Sequence, residues 1–407
     1  LDFSVVAEAL KKEFWSCPQR SGSGDHTAIL GVSRNIGQQV YADFRVTAPA
    51  GSRTEHLAAD TFAGQRLTVP LTEGEPARVE KVCVVHAARD PHQAAADVWA
   101  AGSELSGRLA GTRYATALAD NHAYWLAFWE RSDIVITEDP PNQQGIRFCV
   151  FQLQQTYRGT VPGANIGAKG LTGEFYNGNA FWDTEVYCLP YYLFDNPAAA
   201  RALIDYRYQT LPQALDRARD LDCQGACFPI ATTDGTESCT LWQHASLQFQ
   251  ATTAVAYAVF HYATVTGDED LLFGQGAELL IQICRFLASR GQWSARGETF
   301  GYYCVMGPDE FQMMVNNNCY TNVMAQRTFR FTAQTLDAMR AARPERHATL
   351  LDRLACTPGE VDTWQHLAEH VRWRRHIRAR RRRHTRDQPA ASGGRGLFAD
   401  QHFGHVH

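Results

Sequence analysis

Apolar and polar residues alternate along the first ninety residues in the way that is typical of β-strands. Apolar side chains take every second position of residues 40–46, the same pattern returns at 67–71, and a further strand-like run follows at 79–85. Gly and Pro separate these runs. Residues 27–86 are therefore predicted to form a partial antiparallel β-sandwich, which serves as a scaffold and keeps its outer faces in solvent.

After Asp90 the apolar positions take the three-to-four spacing of helices. Residues 93–109 are rich in Ala and predict a connecting helix, and a second helical region runs from His122 to about Val371. Within it, Asp268 is predicted to cap a helix that Gly291 ends. Further helices are predicted over 198–221, 247–265, 320–342 and 344–370.

This change of period divides the chain into four predicted parts. They are a partial β-sandwich over 1–89, a helical linker over 90–112, an incomplete helical domain over 113–371 and an aberrant Arg-rich tail over 372–407. Long Gly-rich and aromatic-rich loops connect the helices, and such loops are uncommon unless they have a function. The fold is therefore predicted to be mainly α, with paired helices in a toroid and functional loops at one end.

The composition of the tail differs from that of the preceding chain. Residues 372–386 hold nine Arg and no acidic residue, in a chain whose net charge is −4. The helical periodicity stops there, and the whole chain has four Lys, a composition that suggests a GC-rich gene. These features favour translation in a shifted frame. A disordered basic tail is the alternative, and binding of nucleic acid through the Arg run is a further one, although no nucleic-acid partner is predicted.

Length and composition limit the class of protein. With 45% apolar residues among 407, the chain can form one large core or two domains. We expect no membrane segment, because no apolar run approaches about 18 residues. Eleven Cys without paired spacing favour a reduced, cytoplasmic protein. Cys223 and Cys227 lack further ligands at suitable spacing, so no metal is predicted.

The first of three polar, aromatic loops covers residues 170–190. It offers Trp182, Asp183 and Glu185 within four positions. An indole ring stacks on the apolar face of a pyranose, while a neighbouring carboxylate accepts hydrogen bonds from sugar hydroxyls. The structural alternative is a buried Trp beside a helix-capping Asp.

The second loop covers residues 225–244. It pairs a carboxylate with an indole again, through Glu237 and Trp242, on a segment rich in turn-forming residues. Taken alone, this signal is weak.

The third loop, residues 302–322, contains two adjacent acids. Asp309 and Glu310 follow a Gly-Pro pair, which forces a turn and places them on a loop or at the start of a helix. Burial among aromatic residues such as Tyr302 and Phe311 would raise the proton affinity of one of them, as a general acid requires. The alternative is an Asp that caps a helix and a Glu in the helix dipole. The three Asn at 316–318 predict a turn with amides available for hydrogen bonding.

Four strings of these loops resemble the central domain of glycoside hydrolase family 65. They are NIGAKGLTGE at 165–174, FWDTE at 181–185, GPDEF at 307–311 and NNNCYTN at 316–322. The resemblance covers about residues 122–340. The family includes phosphorylases of maltose, trehalose, kojibiose, nigerose and glucosylglycerol.

The resemblance implies a fold and a set of roles. The fold is a partial (α/α)6 barrel preceded by a β-sandwich and a helical linker, and family members are expected to be homodimers. Glu310 matches the general acid, and Trp182 and Asp183 match residues that hold the non-reducing glucose. Glu237 and Trp242 fall in a segment similar to the acceptor-side loop.

Two departures from the family pattern affect the expected chemistry. Asn179 stands where many relatives have His, so one substrate-side contact is expected to be changed or lost. The family's later Lys-Gln segment and its phosphate site fall beyond the point where this chain becomes Arg-rich. The acid and the glucose pocket are thus expected without a recognisable phosphate site.

The expected reaction is inverting phosphorolysis of an α-glucoside to β-glucose 1-phosphate, with inorganic phosphate as co-substrate and no cofactor. An inverting hydrolase needs a second carboxylate to activate water, whereas phosphate is already an anion. Two alternatives stay open. One is a related hydrolase similar to acid trehalase, and the other is an inactive fragment or a sugar-binding protein.

Overall fold

The computed structural model describes residues 1–2, 6–7, 12–34, 36–88, 90, 92–171, 173 and 175–371. The chain divides into two compact units between Arg147 and Phe148. The predicted domain limits at 89, 112 and 371 remain predictions, and the predicted aberrant tail lies outside the described residues.

The first unit contains an antiparallel sheet and two helices. The described strands are β1 Val6–Ala7, β2 Lys12–Glu13, β3 Trp15–Ser23, β4 His26–Ser33, β5 Gln39–Thr47, β6 Arg53–Ala59, β7 Phe62–Thr68 and β8 Glu80–Ala87, and the helices are α1 Ala95–Leu109 and α2 Tyr114–Ser132. Strands β3, β4, β5 and β8 form one sheet in that order, and β6 pairs with β7.

The central strands of this sheet are covered on both faces, which differs from the expectation of solvated outer faces. Ala28 and Leu30 of β4 pack against Val98 of α1, whereas Ile29 packs on the opposite face against Ala63 of β7. Successive residues of a strand point to opposite faces, so a strand buried on both sides reads as continuously apolar. The outer strands retain exposed faces.

The second unit is helical. Helix α3 Pro140–Thr156 crosses the limit between the units, and the described elements after it are α4 Leu189–Asp195, α5 Pro197–Gln209, α6 Leu211–Asp220, α7 Trp242–Leu247, α8 Gln250–Thr266, α9 Glu269–Leu271, α10 Ala277–Arg290, β9 Gln292–Trp293, β10 Phe300–Gly301, α11 Cys319–Ala342, α12 Pro344–Arg353 and α13 Pro358–His370. The prediction of a mainly α fold preceded by an antiparallel sheet is confirmed.

Two of the predicted helices are interrupted. The segment predicted as 198–221 forms α5 and α6, which meet at Thr210, and the segment predicted as 344–370 forms α12 and α13. Pro212 and Pro358 stand in the first turns of α6 and α13, where a missing N–H costs no helical hydrogen bond. The periodicity continues across these breaks because both helices of each pair bury a face in the same core.

Asp268 caps a helix as predicted, but the helix is short. Its side chain accepts a hydrogen bond from the amide of Leu271 at 2.9 Å. A π-helical turn at 272–276 follows, and α10 starts only at Ala277. The stretch 269–290 is long and apolar enough for a membrane span, yet 72% of its apolar 18-residue window is buried inside the protein, as in a core helix.

A buried ion pair fixes the segment that follows Trp182. Glu185 lies in a π-helical turn at 184–188, and Arg207 of α5 donates to its two carboxylate oxygens at 2.7 and 3.0 Å. Both side chains are 1% exposed. Glu185 therefore stabilises the core through its ion pair. Asp183, two residues earlier, lies at the surface of the unit.

Candidate active site

Backbone hydrogen bonds join the three predicted loops. Ala180, in the first loop, pairs with Thr232, in the second, through two N–H···O bonds of 2.8 and 3.1 Å. Met306, in the third loop, donates its amide to the carbonyl of Leu247 at the end of the helix that follows the second loop, at 2.8 Å. The three segments that carry the predicted residues therefore meet at one place in the second unit.

The loop that carries Glu310 is closed at its base. Val305 and Val315 form an antiparallel bridge with N–H···O distances of 3.0 and 2.9 Å. Val305 and Met306 are fully buried. Residues 307–314 form turns and no helix, so the alternative of a helix-capping Asp and a Glu in the helix dipole does not apply here.

The expected aromatic burial of the two acids is not found. Tyr302 packs in the core, where its hydroxyl donates to the carbonyl of Leu287 at 3.0 Å. Phe311 is 99% exposed. Because the bridge at the base turns the loop outward, its tip leaves the aromatic core behind. Glu310 itself is 52% exposed.

The Glu310 carboxylate has two neighbours, one in helix α7 and one directly after the end of that helix. Gln248 donates from Nε2 to Oε1 at 2.7 Å, and Nε2 of His244 lies 3.5 Å from Oε2. Gln248 is 2% exposed and also contacts Sδ of Met306 at 3.0 Å. A protonated carboxyl has a single O–H. Since Gln248 holds Oε1, Oε2 is the oxygen that is left to carry a transferable proton.

Asp183 lies within electrostatic range of Glu310. Its side chain is exposed and makes no capping hydrogen bond with the turn that follows it. Even so, the surrounding protein removes part of its hydration, and this raises the pKa of Asp183 above its ordinary value of 3.8. The charge of Lys169 opposes the rise, and that of Glu310 adds to it. Two carboxylates and an ammonium group thus share one polar region.

Trp182 is held by other aromatic rings. Its ring centroid lies 5.7 Å from that of Tyr320 and 5.7 Å from that of Tyr187. It also packs against the small buried cluster of Ile230, Ala231 and Ala251. The indole is partly buried, so it is fixed in place while part of its surface stays available for a ligand.

Glu237 is engaged by its own loop. Its carboxylate accepts hydrogen bonds from the amides of Ile230, Ala231 and Cys239 at 2.9, 3.2 and 3.0 Å. Arg217 completes the set with an ion pair of 3.1 Å. These contacts give Glu237 the role of organising the second loop, and its role in substrate binding remains a prediction.

Replacing Glu237 with Gln should therefore lower the stability of the protein. The amide has one acceptor oxygen, so it loses at least one charged hydrogen bond and the Arg217 pair, each worth about 1.5–3 kcal/mol. Thermal unfolding of the variant measures the loss. Asp234→Asn is the control, because Asp234 lies on the exposed part of the same loop, where its carboxylate accepts hydrogen bonds from the amide and the hydroxyl of Thr236. Equal melting temperatures for wild type and Glu237→Gln would contradict the structural role.

Trp242 begins helix α7 and is 58% exposed. His244, two residues later, is the neighbour of Glu310. Trp242 is thus two residues from a side chain that lies beside Glu310. Its contact with an acceptor sugar stays a prediction.

The three consecutive Asn form the predicted turn, and each amide has a separate partner. Asn316 accepts a hydrogen bond from the amide of Cys304 at 3.0 Å, and Asn317 accepts one from the side chain of Asn322 at 3.2 Å. Asn318 caps α11 through the amide of Thr321 at 3.1 Å. These side-chain amides therefore stabilise the base of the loop that carries Glu310.

Three residues of this region were not singled out from the sequence. His244 and Gln248 lie beside Glu310, and Lys169 lies within electrostatic range of Asp183. Lys169 lies inside the motif string at 165–174, which was the available signal. His244 and Gln248 stand four residues apart at the junction of two helices, a spacing that carries no specific signal.

Asn179, the departure from the family pattern, is tied to the first loop. Its side chain donates to the carbonyl of Tyr176 at 2.9 Å, and its backbone carbonyl accepts from Ala168 at 3.0 Å. Its Oδ1 is buried and has no hydrogen-bond partner among the described residues. Within the described part of the chain, Oδ1 of Asn179 is thus an unused hydrogen-bond acceptor, and it lies three positions before Trp182 in the chain.

The eleven Cys, all within the described residues, are free thiols. Burial raises the pKa of Cys188, the last residue of the π-helical turn at 184–188, to about 12, and the charges of Asp183 and Glu185 add to the shift. A thiol of this kind is a poor nucleophile at neutral pH. We assign it no part in the chemistry.

Both parts of the chain are similar to known proteins. Residues 147–378 match the Glycosyl hydrolase family 65 central catalytic domain, and residues 3–128 match the N-terminal domain of that family. Maltose phosphorylase of Bacillus subtilis (strain 168) is 31% identical over 376 residues, which cover 91% of this chain and 48% of the relative. Alpha,alpha-trehalose phosphorylase of Geobacillus stearothermophilus is 37% identical over 269 residues, 66% of this chain and 35% of the relative.

A solved structure agrees with these matches. A putative kojibiose phosphorylase from human microbiome superposes with a TM-score of 0.80 at 32% identity, covering 91% of this chain and 48% of that one. The second unit is accordingly a partial (α/α)6 barrel. The chain spans about half the length, or less, of the curated relatives cited here. Both of its units match domains of the same family, and the chain belongs to glycoside hydrolase family 65.

Proposed function

We propose that the protein acts in the inverting phosphorolysis of an α-glucosyl disaccharide or α-glucoside, which yields β-glucose 1-phosphate and a free acceptor. A maltose phosphorylase of Bacillus subtilis and an alpha,alpha-trehalose phosphorylase of Geobacillus stearothermophilus are among the proteins similar to this chain. The observation that carries the proposal is that Glu310 lies within electrostatic range of Asp183, whose pKa is raised first by burial and further by the charge of Glu310. The indole of Trp182, which is fixed by Tyr320 and partly exposed, directly precedes Asp183 in the chain.

In the proposed reaction Glu310 is the general acid. As the bond between the anomeric carbon and the glycosidic oxygen breaks, the proton on Oε2 passes to that oxygen, and the acceptor leaves as an alcohol. An oxygen of inorganic phosphate forms the new bond to the anomeric carbon from the opposite face. The configuration inverts from α to β, and no second carboxylate is needed to activate the nucleophile.

The hydrogen bond from Gln248 supports this assignment. It leaves one carboxyl oxygen of Glu310 engaged and the other beside His244 and solvent. A group that must take up a proton again after each cycle needs access to water or to a second proton carrier. His244 is placed to serve as that carrier, because its Nε2 lies 3.5 Å from Oε2 of Glu310.

Trp182 and Asp183 are proposed to hold the transferred glucosyl ring. The indole offers an apolar face for the ring, and the carboxylate accepts hydrogen bonds from sugar hydroxyls. The negative charge of Asp183 also favours the positive charge that develops on the ring as the glycosidic bond breaks. Glu237 and Trp242 are proposed for the acceptor side, with Glu237 acting through the shape of its loop.

Asp183→Asn should separate the binding role from stability. Loss of one or two charged hydrogen bonds to the sugar is expected to lower kcat/KM roughly 10- to 100-fold. The same change should raise the melting temperature at neutral pH. The folded state raises the pKa of Asp183, so its charged form destabilises the fold once the pH exceeds the ordinary value of 3.8, and the gain should vanish below that pH. A variant that is less stable at pH 7 would contradict this interpretation.

Phosphate dependence tests the reaction type. The protein is incubated with maltose, kojibiose or trehalose, with and without inorganic phosphate, and β-glucose 1-phosphate is measured with its anomeric configuration. Release only with phosphate supports the proposal. Glucose formed at equal rate without phosphate would favour the related hydrolase, and no product from any α-glucoside would favour an inactive or sugar-binding chain.

The acceptor sugar, the homodimer and the cytoplasmic location remain predictions. Sequencing the gene across the codons near Val371 tests the shifted frame, because a restored frame should encode a Lys-Gln segment and further helices. The role of inorganic phosphate as the sole co-substrate is part of the proposal.

A further inference from the structure

The last turn of α13 carries three side chains with metal-binding atoms on one face. His366, Glu369 and His370 stand three and four positions apart, which brings them together on a helix. One ligand atom of each lies within 4.8 Å of those of the other two. His366 and Glu369 are exposed and His370 is partly exposed, so an ion can reach them from solvent.

A backbone hydrogen bond fixes the tautomer of His370. Its Nδ1 lies 2.8 Å from the carbonyl oxygen of His366. A carbonyl only accepts, so Nδ1 must carry the hydrogen, and the lone pair of the neutral ring is on Nε2. A bond from the second ring nitrogen to a carbonyl is the usual outer-shell contact of metal-binding His.

An indole restrains both imidazoles. The ring of Trp293 lies 5.4 Å from that of His366 and 5.4 Å from that of His370, and the two imidazoles are 4.3 Å apart. Trp293 belongs to β9, and the strand partner Phe300 also pairs with Val371 directly after α13. The three side chains are thus gathered at a point where the end of a helix meets a hairpin.

We propose that His366, Glu369 and His370 bind one late first-row divalent ion, of which Zn²⁺ and Ni²⁺ are the test cases. Two imidazoles and a carboxylate are a ligand set that suits these ions. Ligand atoms about 2.0–2.2 Å from an ion stand at most about 4.4 Å apart, so exposed side chains need only small adjustments. Solvent takes the remaining positions. The site does not depend on the function proposed above.

Bound metal should stabilise the end of α13 and the hairpin against it. The ion binds the folded chain better than the unfolded one, so it raises the melting temperature by an amount that grows with its concentration. Trp293 supplies a local signal, because Ni²⁺ held beside its ring should quench its fluorescence. The loop of Glu310 follows the hairpin in sequence, yet the proposal requires no change of activity.

The experiment is a titration of the full 407-residue chain with Zn²⁺ by calorimetry, and with Ni²⁺ by Trp fluorescence. We expect one equivalent of tight binding and a rise of a few degrees in melting temperature. His366→Ala/His370→Ala should abolish both, and Glu369→Gln should weaken binding at least tenfold. Since these side chains are on the surface, the variants should keep the fold.

Histidines near the C-terminus need their own control. His405→Ala/His407→Ala removes two imidazoles outside the described residues and should bind as wild type does. Trp293→Phe should remove the Ni²⁺-dependent part of the quenching while Zn²⁺ binding persists. Unchanged binding by His366→Ala/His370→Ala, or loss of binding in the His405→Ala/His407→Ala variant, would overturn the proposal.

Discussion

Replacing Glu310 with Gln is expected to lower the rate of phosphorolysis by about 10²- to 10⁴-fold, the usual contribution of a general acid. Gln is nearly the same size and keeps an acceptor for the amide of Gln248, which lies 2.7 Å from Oε1. It cannot release a proton to the leaving oxygen. The measurement is kcat for β-glucose 1-phosphate formation from the best α-glucoside.

A substrate with a better leaving group separates acid catalysis from binding. Fluoride departs with little protonation, so α-glucosyl fluoride should be consumed by Glu310→Gln far more nearly at the wild-type rate. Asp309→Asn is the matched control, because Asp309 adjoins the acid and bonds the amide of Phe311. Equal losses for both substrates in Glu310→Gln would show that position 310 acts in some way other than proton transfer.

Replacing Arg207 with Met is expected to destabilise the second unit by about 3–5 kcal/mol. Arg207 holds both oxygens of Glu185, and each side chain is 1% exposed. Removal of the guanidinium leaves a buried carboxylate without its counter-charge, which is the costly way to break such a pair. Urea unfolding at pH 7 measures the loss.

The double variant Glu185→Gln/Arg207→Met provides the control. Without a buried charge on either side it should recover much of the lost stability, since replacing a whole buried pair costs little. The exposed pair of Arg340 and Asp337 offers a contrast: it should contribute at most about 1 kcal/mol. A single variant as stable as wild type would mean that water reaches Glu185.

The periodicity of the sequence predicts the fold class, but it does not predict where the helices are interrupted. The change of period after Asp90 separates the sheet from the helices because the two elements bury side chains at different spacings. Pro358 breaks the predicted 344–370 helix, although the apolar pattern runs through it. The burial of both faces of β4 was not predicted, because an alternating pattern of apolar and polar residues indicates a strand with only one buried face.

For the site, motif strings located the residues and left their partners unknown. Glu310 and Asp183 lie within electrostatic range of each other, while the roles that the resemblance implies for them remain predictions. Glu237 instead bonds three amides of its own loop, since a turn exposes N–H groups that a carboxylate satisfies. Such pairings depend on how a loop closes, and no spacing rule encodes that.

The bridge between Val305 and Val315 has a consequence for variation within the family. It fixes the two ends of the acid loop, while Phe311, Met313 and Met314 at its tip are exposed. Side chains in solvent can be exchanged with little effect on the free energy of unfolding. The exposed tip of this loop can therefore vary in sequence while the bridge keeps both of its ends in place, and in the proposed reaction such variation would leave Glu310 on the same anchored loop.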